Sequence, residues 1–329
     1  MRSYIKLLIP YIISIIAIWL ILRQIQIVDI FPVLATANIF FLVLSIFFLI
    51  CSMWAISRRW VLLIDSDSVQ KKDAFSAVWI GYLGNAILPF RLGEIIRSYF
   101  LSKKSCISIV QLLTTIIIEK LFDICFLLGL FFVISLFLPL PSWIIFSGKL
   151  IAGLVLILII CLILIYKSKK SFQDVCLKIF SKLPLGKFRQ YIEPCSNSFI
   201  LGFKVFNNPF RFIQITLWTL IIWSFAFLLN SCILWSLGID TWLPLSFMTL
   251  VVNNLGMVIP SMPSNIGVYH YLAIVTLSIF NINPVTALSY AILSHIINFG
   301  SFIIGGLIAL IINREDIGSF FREALEAEK

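Results

Sequence analysis

The chain has 329 residues, of which 61% are hydrophobic and only 12% are charged, and its formal net charge is +10. Soluble proteins carry about 25% charged residues, so the composition excludes a soluble enzyme, a disordered chain and a fibrous protein. The apolar runs are continuous and do not alternate with polar residues, which excludes a β-barrel. The composition therefore predicts an all-α polytopic membrane protein.

Six apolar stretches are long enough to span a bilayer, because a spanning helix needs about 20 residues. They cover residues 5–22, 39–56, 110–138, 143–166, 211–237 and 284–312. Two further apolar stretches, 74–101 and 244–280, contain Gly, Asn and Pro near their centres. We therefore predict about six full spans plus two re-entrant half-helix pairs.

Lysine and arginine residues predict the orientation, because they favour the cytoplasmic side of a membrane. Arg2 and Arg314 place both termini in the cytoplasm of a multi-pass cell-membrane protein, and Arg58 and Arg59 are assigned to a cytoplasmic loop after the second span. The segment 167–210 carries eight Lys or Arg residues against two acidic ones. We predict that it forms a cytoplasmic amphipathic loop on anionic lipid. The basic residues are thus explained without nucleic acid as a partner.

The two interrupted stretches occupy matching places in the chain. Basic residues flank 74–101 at both ends, so this stretch is expected to enter from the cytoplasm and return. At 28 residues it is too short for two spans. The stretch 244–280 is expected to enter from the opposite face, although two short spans remain an alternative there. The halves 39–138 and 211–312 then form an inverted repeat, which is typical of transporters.

The first interrupted stretch combines helix breakers with charged side chains. Gly and Pro end helices and leave backbone N–H groups free to bind an anion. Guanidinium groups bind phosphate through bidentate hydrogen bonds. Arg91, Glu94 and Arg97 are three residues apart and share a helix face. The alternative is an interfacial loop whose charges meet water. The candidate residues of this stretch are Gly84, Asn85, Pro89, Arg91, Gly93, Glu94 and Arg97.

The second candidate stretch carries a polar stripe on an apolar helix. Thr115, Glu119 and Asp123 recur every four residues, and Lys120 lies beside them. The two carboxylates suit a cationic headgroup, a proton relay, or pairing with arginines. Residues 121–138 alone are long enough to span, so an ion cluster at the cytoplasmic interface is the alternative.

The third candidate stretch repeats the order Asn, Pro, Gly without charged residues. Its residues are Asn254, Pro260, Pro263, Gly267 and His270. Such a segment exposes amides and backbone groups that line a cavity. The two histidines of the chain have no cysteine or carboxylate at ligand spacing, so neither a metal nor another cofactor is expected.

These motifs resemble the lysylphosphatidylglycerol synthase transmembrane family, also called the flippase-like domain family, over nearly the whole chain. Lys120 stands where an arginine is common in that family. The family often shows a Pro-Gly-Gly-x-Gly run followed by a glutamate, where this chain has Pro263-Ser-Asn-Ile-Gly267 and His270. The motifs that carry the resemblance are Asn85-x3-Pro89-x-Arg91-x-Gly93-Glu94-x2-Arg97, Glu119-Lys120-x2-Asp123 and Pro260-x2-Pro263-x3-Gly267.

The resemblance implies a flippase-like transmembrane domain over 1–312 and a cytoplasmic tail over 313–329. It implies a bacterial or archaeal protein that moves a polar-headgroup lipid, either a phospholipid or a polyprenyl-phosphate-linked lipid, between leaflets. Members that make aminoacyl lipids have a soluble synthase domain after the membrane domain. Because this chain stops at Lys329, we expect a transporter without that enzyme activity.

In the leading hypothesis Arg91 and Arg97 bind the lipid phosphate, while Glu94, Glu119 and Asp123 hold the arginines or take up a cationic headgroup. Membrane lipids are the expected partners, and a second copy of the chain and envelope glycosyltransferases are candidates. One alternative is a membrane-embedded lipid or glycosyl transferase that uses a carboxylate as a base or Mg²⁺ ligand. Another is a non-catalytic scaffold for envelope biosynthesis.

Overall fold

The computed structural model of the protein is built from α-helices. Within the described residues it has eleven α-helices and no strand, which confirms the predicted all-α class. The described residues are 2–23, 25–88, 92–137, 142–167, 203, 208–240, 243–256, 265–316, 318, 320 and 322. The helices are α1 (Arg2–Leu22), α2 (Ile30–Ala35), α3 (Ile39–Ile64), α4 (Lys71–Ile87), α5 (Gly93–Ser105), α6 (Ile109–Ser135), α7 (Ser142–Lys167), α8 (Pro209–Ser236), α9 (Leu243–Gly256), α10 (Val268–Ser278) and α11 (Pro284–Ile312).

Four helices of the described chain are long and apolar enough to cross a membrane. They are Ile39–Ile64, Ile144–Leu162, Pro209–Ser236 and Pro284–Ile312. Helices α1 and α6 coincide with the other two expected spans, but α6 carries three charged residues in its middle. A multi-pass membrane protein is therefore confirmed. The predicted loop 167–210 lies almost entirely outside the described residues.

The long helices begin at side chains that cap their free backbone N–H groups. The side chains of Asn38, Ser108, Asn208 and Asn283 each accept a hydrogen bond from a backbone N–H in the first turn of α3, α6, α8 and α11, respectively. Asn208 and Asn283 are each followed by proline, whose fixed φ suits the first helical position. Local sequence therefore sets where these four helices start.

Each interrupted stretch forms two short helices. Helices α4 and α5 have 17 and 13 residues, and α9 and α10 have 14 and 11. At about 1.5 Å per residue, each is shorter than the roughly 30 Å of the bilayer core. The order long, short, short, long thus occurs in α3–α6 and again in α8–α11. The predicted breakers Pro89, Pro260 and Pro263 lie outside the described residues.

Helix α3 extends further than expected. The assignment of Arg58 and Arg59 to a loop after the second span is wrong, since the helix continues to Ile64. The physical reason is that five apolar residues, Trp60 to Ile64, follow the two arginines and keep the helix packed in the core. Arg59 therefore lies inside the helix, and its side chain is 1% exposed.

Helices α3–α6 form one set and α8–α11 form a second set, and helices of the two sets pack against each other in antiparallel pairs. Helices α3 and α8 form an aromatic seam along their length, and Tyr82 of α4 packs on Phe302 of α11 with ring centroids 4.7 Å apart. A second, smaller core joins α6, α7 and α9 around Phe131 and Met248. The ring pairs of the α3–α8 seam are Phe41–Trp235, Phe48–Phe225 and Trp54–Trp218.

Candidate functional site

A cavity of about 390 Å³ lies between the two sets of helices. One wall comes from α3 to α6 and carries the ionised groups Glu94, Lys120 and Asp123. The other wall comes from α8 to α11 and from the residues just before α10, and it carries amides, hydroxyls and a histidine. Polar groups inside a membrane domain are expensive to bury and are usually functional. This cavity is therefore the candidate site.

Two buried arginines bind the two carboxylates of α6. Arg59 Nη1 and Nη2 donate to the two oxygens of Asp123 at 2.7 and 2.9 Å. Arg97 Nη1 and Nη2 donate to the two oxygens of Glu119 at 3.0 and 3.1 Å. Arg59 Nη1 also donates to Thr219 Oγ1 of α8 at 2.9 Å. Paired, charge-assisted bonds of this kind fix position as well as charge.

An aromatic residue holds the second arginine in place. The guanidinium of Arg97 lies 3.8 Å from the ring centroid of Trp60, a distance that permits cation–π attraction. Trp60 Nε1 in turn donates to Thr115 Oγ1 at 3.0 Å. Because the side chains of Arg97 and Glu119 are each 1% exposed, this assembly lies behind the cavity wall rather than on it.

Lys120 completes the ionic cluster at the cavity surface. Its Nζ lies 3.4 Å from Glu94 Oε1 and 3.7 Å from Glu119 Oε1. Its side chain is 36% exposed, more than those of Glu94 (22%) and Asp123 (17%). Arg59, Arg97 and Lys120 supply three positive charges, and Glu94, Glu119 and Asp123 supply three negative ones, so the cluster is formally neutral.

The α4–α5 hairpin brings Glu94 to the cavity. Asn85 Oδ1 accepts the backbone N–H of Gly93 at 3.0 Å, and Asn85 Nδ2 lies 3.4 Å from Glu94 Oε1. A Cβ at position 93 would overlap the carbonyl oxygen of Gly81 and the side chain of Asn85. A Cβ on Gly84 would lie 2.8 Å from the Cα of Gly93. The glycines are thus required for the close approach of the two helices.

The uncharged wall contains a network of amides and hydroxyls. The hydroxyl of Tyr290 donates to Asn230 Oδ1, and Asn230 Nδ2 donates to the carbonyl oxygen of Ser246 at 3.0 Å. The hydroxyls of Tyr269 and Ser294 lie 2.6 Å apart. Asn253 also lines the cavity, next to the hydroxyls of Tyr269 and Tyr290, but neither polar atom of its buried amide makes a hydrogen bond of good geometry among the described residues.

The structure brings together most of the residues proposed from the charged motifs. Asn85, Glu94, Lys120 and Asp123 line the cavity. Arg97 and Glu119 are adjacent to them but are buried as a pair. Arg91 lies outside the described residues.

The second-half candidates are partly placed at the cavity. Asn254 lines it, whereas His270 lies behind His295, which lines it; the two histidine rings are 5.1 Å apart. Gly267 is the N-cap residue just before α10 and has a φ of +88°, and a Cβ there would lie 2.7 Å from the carbonyl oxygen of Ser14 in α1. Gly267 therefore fits α10 against α1 rather than contacting the cavity. Among the described residues, no group of three or more His, Cys, Asp or Glu side chains is arranged to hold a metal ion.

Several site residues were not expected from the sequence. Arg59 and Trp60 lie behind the ionic wall, and Trp223 of α8 lines the cavity, where its Nε1 donates to Asp123 Oδ1 at 3.1 Å. The spacing of polar residues along α3 could have indicated that Arg59 is buried. Ser45, Ser52 and Arg59 are seven residues apart and all buried, so they lie on one inward face of the helix.

Comparisons with known proteins agree with this architecture. The UPF0104 membrane protein MJ1078 of Methanocaldococcus jannaschii is 27% identical over 238 residues, which cover 71% of this chain and 95% of that protein. The glycosyltransferase AglD of Haloferax volcanii is 21% identical over 260 residues, which cover 70% of this chain and 42% of that protein. This chain thus aligns with less than half of AglD. No solved structure matches the chain.

A family model gives the broadest match. It is described as the lysylphosphatidylglycerol synthase TM region and matches residues 7–306. This range includes α3 to α10, the ionic cluster and the amide wall, and most of α1 and α11. The resemblance identified from the motifs is confirmed, and the chain belongs to the lysylphosphatidylglycerol synthase transmembrane-region family.

Proposed function

We propose that this protein moves a lipid with a polar headgroup, either a phospholipid or a polyprenyl-phosphate-linked lipid, between the two leaflets of the cell membrane. The observation that carries the proposal is a cavity between two sets of helices whose walls hold charged groups and amides among apolar side chains. Its volume of about 390 Å³ falls within the range of small-molecule sites, about 300–1,000 Å³. A headgroup fits such a cavity while the acyl or prenyl chains stay in the surrounding lipid.

The proposed topology is an inverted repeat with both termini in the cytoplasm. In this arrangement α4–α5 and α9–α10 are re-entrant pairs that enter from opposite faces and meet at the cavity. Their short lengths support this, as do Lys103 and Lys104 at the end of α5, because basic residues favour the cytoplasmic side. Discontinuous helices around a central site are the usual construction of transport sites.

Lys120 is the proposed ligand for the lipid phosphate. It is a cation at the cavity surface, and its ammonium group is held by Glu94 at a distance that a phosphate oxygen can match. Arg91 is proposed as a second phosphate ligand on the basis of its sequence position. Arg97, by contrast, is proposed to fix α5 to α6, because its guanidinium is bound by Glu119 and stacked on Trp60.

A membrane-embedded transferase is the second candidate, favoured by the similarity to a protein named as a glycosyltransferase. It requires a carboxylate that is free to act as a base or to bind a metal. Both oxygens of Asp123 accept hydrogen bonds from Arg59, and Glu94 is paired with Lys120. This pairing favours transport over group transfer. A scaffold role predicts that blocking the cavity has no effect.

A cavity-blocking variant tests the proposal. Ala226 of α8 lines the cavity, whereas Ser224 of the same helix is exposed on the outer surface. Purified wild type, Ala226→Phe and Ser224→Phe are placed in liposomes with fluorescent lipids, and a membrane-impermeant quencher reports lipid crossing. We expect crossing with wild type and Ser224→Phe, and only the protein-free rate with Ala226→Phe. Equal rates for folded Ala226→Phe and wild type would overturn the proposal.

A further inference from the structure

The uncharged wall of the cavity indicates what kind of headgroup it receives. The described cavity residues from α8 to α11, and Asn265 before α10, include no Asp, Glu, Lys or Arg. They include five asparagines instead, among them Asn253 and Asn298. An amide both donates and accepts hydrogen bonds, so a wall of amides matches a ligand that does the same. Hydroxyl groups have this property.

The amide of Asn253 is the strongest indication of a hydrogen-bonding ligand in this cavity. Its side chain is 2% exposed and borders the cavity, and neither its amide nitrogen nor its amide oxygen makes a hydrogen bond of good geometry among the described residues. The hydroxyls of Tyr290 and Tyr269 lie next to this amide, but their well-formed hydrogen bonds are to Asn230 and Ser294. A buried amide without well-formed hydrogen bonds is unfavourable, which indicates that a ligand or water completes it. Adjacent hydroxyls on one ligand would satisfy its donors and acceptor together.

The carboxylates of the ionic wall are already paired within the protein and are poor ligands for a cationic headgroup. Both oxygens of Asp123 are bound by Arg59, both oxygens of Glu119 are bound by Arg97, and Glu94 is paired with Lys120. A cation entering the cavity would compete with these internal partners, and displacement of either arginine would leave a buried guanidinium unpaired, which is strongly unfavourable. A neutral headgroup requires no such displacement.

Aromatic side chains border the same cavity. Trp223 lines the cavity and donates to Asp123, and its ring stacks on Phe126 with centroids 6.1 Å apart. His295 stacks on Phe299 at 5.8 Å. A rigid aromatic face beside hydrogen-bonding groups suits a ring that is apolar on its C–H face and polar at its edge. A cyclic polyol has this character.

From these observations we propose that the transported lipid carries an uncharged polyhydroxyl headgroup, a sugar or cyclic polyol, and that Asn253 hydrogen-bonds its hydroxyl groups. The inference rests on the proposed lipid transport and names the substrate class of the same cavity. It differs from the cationic headgroup that two free carboxylates would favour. The phosphate of the same lipid then lies toward Lys120 on the opposite wall.

The test compares two lipids that share the same acyl chains and fluorescent label. Phosphatidylinositol has an uncharged cyclic polyol headgroup beyond its phosphate, and lysylphosphatidylglycerol has a cationic one. Liposomes with wild type, Asn253→Leu or Thr249→Val are assayed with an impermeant quencher. Thr249 is the matched control, since it is a buried polar residue of the same helix and is absent from the cavity lining.

We expect wild type and Thr249→Val to move the inositol lipid at least about tenfold faster than the lysyl lipid, a preference expected from a few hydrogen bonds. Asn253→Leu should lose this preference. If the Leu variant does not fold, Asn253→Asp serves instead and should shift the preference toward the lysyl lipid, because it adds a carboxylate.

The outcomes separate the inference from the function on which it rests. Movement of the lysyl lipid at an equal or greater rate would overturn the polyol headgroup and leave lipid transport standing. An unchanged preference in both folded Asn253 variants would overturn the role of Asn253. If folded wild type moves neither lipid, nor any other lipid offered to it, the transport proposal and the inference fail together.

Discussion

The guanidinium of Arg59 in α3 makes two hydrogen bonds to the carboxylate of Asp123 in α6, at 2.7 and 2.9 Å. The same guanidinium donates to Thr219 in α8, so one side chain links both sets of helices. Its second nitrogen also lies 4.0 Å from Glu119, which binds Arg97. The two carboxylates of α6 are therefore held in one connected network, with Asp123 on the cavity wall and Glu119 behind it.

Asp123→Asn is expected to destabilise the protein strongly, because it leaves the buried Arg59 without its counter-charge. Breaking such a pair costs about 3–5 kcal/mol, whereas replacing both partners with apolar residues is often nearly neutral. The double variant Arg59→Met with Asp123→Leu should therefore be more stable than the single variant. Thermal unfolding of the purified proteins measures the difference.

The exposed contact between Lys103 and Glu315 is the control for this comparison. Its nitrogen–oxygen distance is 3.7 Å, and the lysine side chain is 41% exposed. Lys103→Met should change stability by less than about 1 kcal/mol, as is typical of surface ion pairs. A loss at Asp123 no larger than this would show that the buried pair is unimportant for stability.

Arg97→Lys is expected to weaken the protein even though it keeps the charge. A lysine ammonium replaces neither the two parallel bonds to Glu119 nor the flat contact with Trp60. We expect a loss of about 1.5–3 kcal/mol, the usual size of a lost charge-assisted hydrogen bond. Unfolding of Arg97→Lys, Glu119→Gln and the double variant gives the coupling energy, and a value near zero would contradict the pairing.

Local features of the sequence predicted most of the helices. Contacts between residues far apart in the chain could not be predicted in this way. Continuous apolar runs identified the long helices, and the Gly-rich 81–97 stretch identified the α4–α5 hairpin. The partners of Arg59 lie 64 and 160 residues away, and no local periodicity indicates such contacts. The arginine was therefore treated as a loop charge. The cavity likewise depends on how α8 to α11 pack against α3 to α6.

Gly93→Ala is expected to open the α4–α5 hairpin. The new methyl group would overlap the carbonyl oxygen of Gly81 and the side chain of Asn85, so the two helices must separate. Stability and lipid movement should both fall, since Glu94 would leave its place beside Lys120. Thermal unfolding and the liposome assay measure the two effects.

Gly129→Ala is the matched control, because position 129 lies within α6 and has nothing within 4 Å of an added Cβ. There, alanine should raise stability by roughly 0.5–1 kcal/mol through its better helix propensity. If the two substitutions behaved alike, the close packing of the hairpin at Gly93 would be refuted.

Lys120→Gln distinguishes a lysine that binds lipid phosphate from one that only balances charge. Removing its charge leaves three carboxylates against two arginines, so lipid movement should fall in either case. Adding Glu94→Gln restores neutrality and also removes the partner of Lys120. If Lys120 binds phosphate, the double variant stays as slow as the single one in the liposome assay, whereas Lys120→Arg keeps most of the rate. Recovery of the rate in the double variant would assign Lys120 to charge balance and leave the phosphate to another cation.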